Sequence, residues 1–276
     1  MRREKLRVNA EQRRHLEQLR LTHERHLRVL ELQAAKFQLN VPAYIVLEIE
    51  DIRNKLAEID TQLGASTPEG AFATAIKIVL LASNPAGTPP LALDEEIRAI
   101  SAKIRSAEYR TLLSLVPCLA ARPDDLLQAL NQHRPQIVHF SGHGSAAGEI
   151  ILMDDNRQPR PVSATALRAL FTTLRDQIRV VVLNACYSEI QAQAIAEIID
   201  CVIGISGPLA DQASVTWSAA FYRALAFGRS VQEAFDQGRV AVLLEGNHET
   251  DSFNLLARAG VDPASIFLIR ASDSAR

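Results

Sequence analysis

What this sequence lacks narrows its class first. Its three cysteines, Cys118, Cys186 and Cys201, are odd in number and form no CxxC pair. A disulfide framework is therefore not expected, nor is a structural metal or a cofactor. Reduced thiols of this kind fit a cytoplasmic chain. No apolar run approaches the ~18 residues that span a bilayer. The opening MRREKLRVNAEQRR has no apolar core of the kind a signal peptide needs. Neither sign of charge dominates: 30 basic residues face 32 acidic ones, so nothing points to nucleic acid. Glycine is absent before Gly64, and Pro42 is the only proline in that stretch. The first part of the chain therefore carries few helix breakers.

What is there divides in two. Residues 1–66 read as a helical hairpin or coiled-coil arm. Leu16, Leu19, Leu27 and Leu30 recur at helical spacing before Asn40-Val41-Pro42 interrupts. Ile45, Ile49, Ile52, Leu56, Ile59 and Leu63 then follow at a mean spacing of about 3.5 residues, the seam of a coiled coil. Gly64 ends it. Such a hairpin either packs on the main domain as a lid or receives the helices of a regulatory protein partner. Residues 67–75 read as a linker of small and turn-forming residues. Residues 76–276 read as one α/β domain.

In that domain short apolar runs alternate with amphipathic stretches. The runs are Ile76–Leu81, Thr111–Val116, Gln136–Phe140, Glu149–Met153, Val180–Leu183, Cys201–Ile205 and Ser265–Ile269. Helical patterns lie between them, one of them over Ser163–Arg175 with Ser163 as its cap. Apolar strands separated by helices predict a mainly parallel sheet covered on both faces, a three-layer α/β/α sandwich. In such sheets the chemistry gathers beyond the carboxyl ends of the strands.

Two strand ends carry reactive side chains. One runs into Ser141-Gly142-His143-Gly144, the other into Asn184-Ala185-Cys186. Neighbouring strands lie ~4.8 Å apart, so adjacent strands would bring imidazole and thiol to one rim. A thiol ionises near pH ~8.5, and an imidazole beside it can take its proton or pass it to a leaving amine. Cys186 also precedes a predicted helix, whose N-terminus favours an anion. Gly142 and Gly144 leave backbone N–H groups open to a substrate carbonyl, and the N–H of Cys186 would complete an oxyanion hole.

The stretch HFSGHG followed by a strand and then LNACYS resembles the CHAT proteases, the bacterial branch of the caspase, separase and gingipain group. The resemblance runs from about Ile76 to Ile269 and includes Asn84-Pro85, Leu91 and Glu95, then Gly207-Pro208-Leu209-Ala210-Asp211, then the segment from Ala220 to Val231. It implies a caspase-hemoglobinase-like fold and hydrolysis of peptide bonds in a protein or peptide substrate. It also implies a dyad of His143 as base and Cys186 as nucleophile, with Gly144 and Cys186 as oxyanion donors. Relatives that cut after Arg or Lys often carry Asp where this sequence has Asn184. Asp211 is the other pocket candidate, or else it caps the helix that follows. Asp154 and Asp155 read as a hairpin turn, His139 as a core histidine, and Trp217, Phe221 and Leu225 as core. Three functions stay open: a regulated endopeptidase in bacterial defence or cell death, a silent caspase-like binding module, and an adaptor working through residues 1–66.

Overall fold

The computed structural model describes residues 75–269, with helical positions between 15 and 30 and between 48 and 59. The chain forms two compact units that divide between Ala73 and Thr74. In the first, Leu30, Ile52 and Ile59 are buried while Leu21, Asp51 and Lys55 stay exposed, as amphipathic helices require. Nε2 of His26 lies 3.6 Å from Oε1 of Glu48, so the two helical segments approach one another at this point. The interruption at Pro42 and nearly all of the linker 67–75 lie outside the described residues. No described helix is long and apolar enough to cross a membrane.

The second unit is built on an eight-stranded sheet. Its strands are β1 (Ile76–Ser83), β2 (Leu113–Leu119), β3 (Ile137–Ser145), β4 (Glu149–Met153), β5 (Pro159–Val162), β6 (Val180–Asn184), β7 (Cys201–Ile205) and β8 (Phe253–Ala257). The main order is β2-β1-β3-β6-β7-β8. All of these neighbours pair in parallel except β8, which runs antiparallel to β7. Six helices connect them: α1 (Leu93–Arg105), α2 (Pro123–His133), α3 (Ala164–Leu174), α4 (Glu189–Ala196), α5 (Asp211–Ala226) and α6 (Val231–Leu244). The expected α/β fold with a mainly parallel sheet is thus present.

The period of two decides which face each side chain joins. Ile78, Leu80 and Ala82 of β1 and Val180 and Val182 of β6 pack with Ile100 and Ile104 of α1 and with α5 and α6. Val79, Leu81, Val181 and Leu183 point the other way, against α2, α3 and α4. Each face thus buries its own apolar cluster, at roughly 1.5–3 kcal/mol for every large side chain removed from water. Trp217 stacks on Phe221 and Phe253 at 5.0 Å each, tying α5 to the edge strand.

Three details depart from the sequence reading. The last strand is Phe253–Ala257; Ser265–Ile269 is not a strand. Ile266, Leu268 and Ile269 still pack on the core, and Phe267 is exposed, so apolar content there reports burial without sheet pairing. A further strand, Pro159–Val162, pairs with β4 as a hairpin, although its prolines and arginine hid it from the pattern. His143 lies in a strand rather than a loop, because β3 continues past Gly142 and pairs with β4, placing His143 opposite Ile151. A side chain at Gly142 would press on the Phe140 ring and the Ser83 carbonyl, which is why this crossing point is bare.

Candidate active site

β3 and β6 are neighbours, and their ladder ends on the pair Ser141 and Asn184. Two residues beyond those positions stand His143 and Cys186. The two segments remain in contact past the ladder. A β-carbon on Gly144 would overlap the carbonyl oxygen of Cys186, and it would lie 3.0 Å from that carbonyl carbon and 3.3 Å from the nitrogen. Only glycine allows this approach. The imidazole strand and the thiol loop therefore meet at the carboxyl edge of the sheet.

His143 is half-buried, and its Nε2 lies 2.9 Å from the carbonyl oxygen of Pro89. A carbonyl can only accept, so Nε2 carries the proton and Nδ1 of the neutral ring keeps a lone pair. Pro89 belongs to the segment between β1 and α1, which is anchored at both ends. The N–H of Ala86 donates to Arg157 O in the β4–β5 turn at 2.8 Å, and the N–H of Ala92 donates to Asp211 Oδ2 at 2.8 Å. Nothing in the sequence marks Pro89 as a partner of His143.

Cys186 is half-buried at the start of a short loop that leads into α4. Tyr187, next to it, is held at φ +58, a left-handed conformation that costs a bulky residue roughly 1–2 kcal/mol. The loop is pinned on its far side by Ser188, whose buried hydroxyl donates to Leu183 O at 2.9 Å and accepts from the N–H of Ile205 at 3.0 Å. Strain that persists because its surroundings over-determine it is common at functional sites.

Beneath this edge lies a buried polar network on the α1–α5 face. Glu96 of α1 is 2% exposed. Its Oε1 accepts from Asn184 Nδ2 at 2.8 Å, and its Oε2 accepts from the Ser141 hydroxyl. Asn184 Oδ1 in turn accepts from Ser214, and His139 Nδ1 meets the Tyr222 hydroxyl at 3.0 Å. Nε2 of His139 stands 3.3 Å from Glu96 Oε1, within ion-pair range but off the line of a hydrogen bond. Burial pushes the Glu96 carboxyl up, but attraction to His139 and its hydrogen bonds outweigh that, and the net direction is down.

The two pocket candidates are both engaged inside the chain. Asn184 is buried and spends its amide on Glu96 and Ser214. Asp211 is the first residue of α5, and Ala210 holds the N-cap position. Its carboxylate serves α1 instead, by accepting the N–H of the α1 N-cap residue Ala92. Asp154 accepts from the N–H groups of Asn156 and Gln158, and Asp155 pairs with Arg122 at 3.3 Å, so this stretch is a hairpin turn. Among the described residues no group of His, Cys, Asp and Glu could hold a metal ion.

The sequence carries a signal for Glu96 that the motifs do not include. It falls on the helix face of Leu93, Ile97, Ile100 and Ile104, where a carboxylate is out of place.

A thiol and an imidazole thus stand at the carboxyl edge of a mainly parallel α/β sheet, and these are groups that acyl transfer can use. The CHAT domain model matches residues 47–254, and the chain belongs to that family. The match begins inside the first unit. A Roc-COR-CHAT protease from an unknown prokaryotic organism is 26% identical over 156 residues, which are 54% of this chain and 15% of that protein. A probable protease of Gillisia limnaea is 26% identical over 150 residues, 54% of this chain and 26% of that protein. The chain thus matches only a minor part of these curated relatives. Among solved structures, the Drosophila initiator caspase Dronc aligns with a TM-score of 0.40 and 9% identity, over 65% of this chain and 79% of that one.

Proposed function

We propose that this chain is a cysteine endopeptidase with Cys186 as nucleophile and His143 as general base. Nδ1 of His143 takes the thiol proton as sulfur attacks the scissile carbonyl carbon. The oxygen of the tetrahedral intermediate is received by the backbone N–H groups of Gly144 and Cys186. As the intermediate collapses, the peptide C–N bond breaks and the imidazolium gives its proton to the leaving amine. A thioester remains on Cys186. Water, deprotonated by the same imidazole, then hydrolyses it and restores the thiol. The Pro89 carbonyl holds Nε2 throughout and steadies the imidazolium when it forms.

One observation supports this reading above the others: the packing of Gly144 on the Cys186 backbone, at the edge where β3 and β6 part. The protease names of the relatives agree with it. A cationic P1 side chain would have to compete with the Ala92 N–H for Asp211.

The finer reading is a regulated effector in bacterial defence or cell-death signalling, with residues 1–66 engaging a regulatory protein. It is supported by the amphipathic helices of the first unit and by relatives that carry the similar segment within much longer chains. Turnover by the chain alone, compared with turnover beside its native partner, tests it; equal rates overturn it.

The test of the core reading is Cys186→Ala. Peptide cleavage should vanish while the circular dichroism spectrum and thermal midpoint stay as in the parent. Unchanged turnover in a folded variant would end the assignment.

A further inference from the structure

We infer that Glu96 is a positioning residue for this site: one buried carboxylate ties together the ends of the two strands that carry His143 and Cys186. The inference rests on the peptidase reading above.

The geometry is specific. Oε2 of Glu96 accepts from Ser141, two residues before His143, and Oε1 accepts from Asn184, two residues before Cys186. Ser141 and Asn184 are opposite one another and form the last rung between β3 and β6. Beyond that rung the strands part: β3 turns to meet β4, and β6 gives way to the thiol loop. The backbone ladder no longer sets their separation there. Glu96 sits where the ladder stops and holds both residues of its last rung with charge-assisted hydrogen bonds, which are stronger than neutral ones.

Stability alone does not call for a carboxylate at this place. The rest of this face of α1 is Leu93, Ile97, Ile100 and Ile104. A well-packed apolar residue at a buried position is often as stabilising as a buried ionised group, or more so. What the carboxylate adds is direction. It holds two donors in fixed relation, and small misplacements of reacting groups are costly to rate. Its place in the first turn of α1 lets the helix N-terminus favour its charge.

The experiment compares five variants, His143→Ala among them as the reference for a lost base, by the rate at which iodoacetamide alkylates Cys186 near neutral pH. The modified peptides are mapped by mass spectrometry, and kcat and KM on a peptide are measured beside them. Glu96→Gln keeps the shape and can still bond both partners, because a serine hydroxyl also accepts. Glu96→Met has similar length but no acceptor. Ser141→Ala removes one tie with little change of volume, so the comparison survives should the methionine variant fail to fold. Asp200→Asn breaks ion pairs to Arg179 and Arg258 without touching either tied strand end, and so controls for loss of stability alone.

The expected result is a fall in Cys186 alkylation and in kcat of about 10-fold to 100-fold for Glu96→Met, with KM little changed. Ser141→Ala falls in the same direction by a smaller factor. Glu96→Gln stays near the parent, as does Asp200→Asn even where its thermal midpoint drops. Parent-like alkylation in both Glu96→Met and Ser141→Ala, when His143→Ala loses it, overturns the inference and leaves the peptidase reading standing. A parent in which Cys186 reacts no faster than Cys118, and in which His143→Ala changes nothing, overturns the peptidase reading and this inference with it.

Discussion

Nε2 of His143 donates to the carbonyl oxygen of Pro89 at 2.9 Å, and that bond decides which ring nitrogen is left to act. The proton on Nε2 leaves Nδ1 as the acceptor. Removing the ring by His143→Ala should lower kcat by roughly 10²–10⁴-fold, the usual worth of a positioned acid–base group, with a small effect on KM. Steady-state kinetics on a peptide measure this. A variant with parent kcat would mean that the imidazole takes no part.

Gly144 offers a sharper steric test. A methyl group there overlaps the Cys186 carbonyl oxygen, so Gly144→Ala must push the thiol loop away from β3. The expected cost is about 1–3 kcal/mol in stability, as for other overpacked sites. The expected loss of turnover is larger, on the order of 10²-fold, because the reacting groups separate. Urea unfolding and peptide kinetics on the same preparation compare the two. Full activity would show that the contact has no bearing on the chemistry.

The three thiols should react in a fixed order. Cys186 is half-exposed at the sheet edge. Burial raises the Cys118 thiol, with Asp125 adding to it. Burial pushes Cys201 up to about 12, and the Asp200 carboxylate contributes in the same direction. Alkylation by iodoacetamide near neutral pH should therefore mark Cys186 first, Cys118 later, and Cys201 only on unfolding. Peptide mapping over time reads the order. Early labelling of Cys201 would contradict its burial.

Acid should weaken the fold in a predictable direction. Burial pushes the Asp200 carboxyl up, but hydrogen bonds from Arg258 and Arg179 outweigh it and hold it below its usual range. The net direction for Glu96 is also down. Carboxylates depressed in the folded state contribute stability that is fully present above their unfolded values, about 3.9 for Asp and about 4.3 for Glu. That stability is lost as pH falls through the lower folded values. The urea midpoint should hold between pH ~5 and ~7 and drop below pH ~4, and the drop should be smaller in Asp200→Asn. A midpoint insensitive to acid would show that neither carboxylate is held by its partners.

Much of the architecture was readable residue by residue. Val180–Leu183 is a strand because an unbroken apolar run, three of its four residues β-branched, suits a strand buried on both faces. Ser163 caps α3 as its hydroxyl requires, accepting from the N–H of Ala166. Trp217, Phe221 and Leu225 are core because helical spacing sets them on one face. His139 is buried among partners because strand parity turns it inward beside Ser141. The last strand was misplaced for an equally physical reason. An apolar run records that a segment is buried and leaves open whether it is buried in a ladder.

By itself the sequence determined the kinds and order of most elements, though not of β5 or β8, the sheet with helices on both faces, and two strand ends bearing a thiol and an imidazole. Those properties depend on neighbours a few positions away, where periodicity and turn chemistry act. Only the tertiary structure decided that β3 and β6 are adjacent, that Pro89 meets His143 across 54 positions of chain, and that Glu96 reaches Ser141 across 45 and Asn184 across 88. Such contacts follow from the register of the whole sheet and the seating of α1 upon it, and no local pattern encodes them.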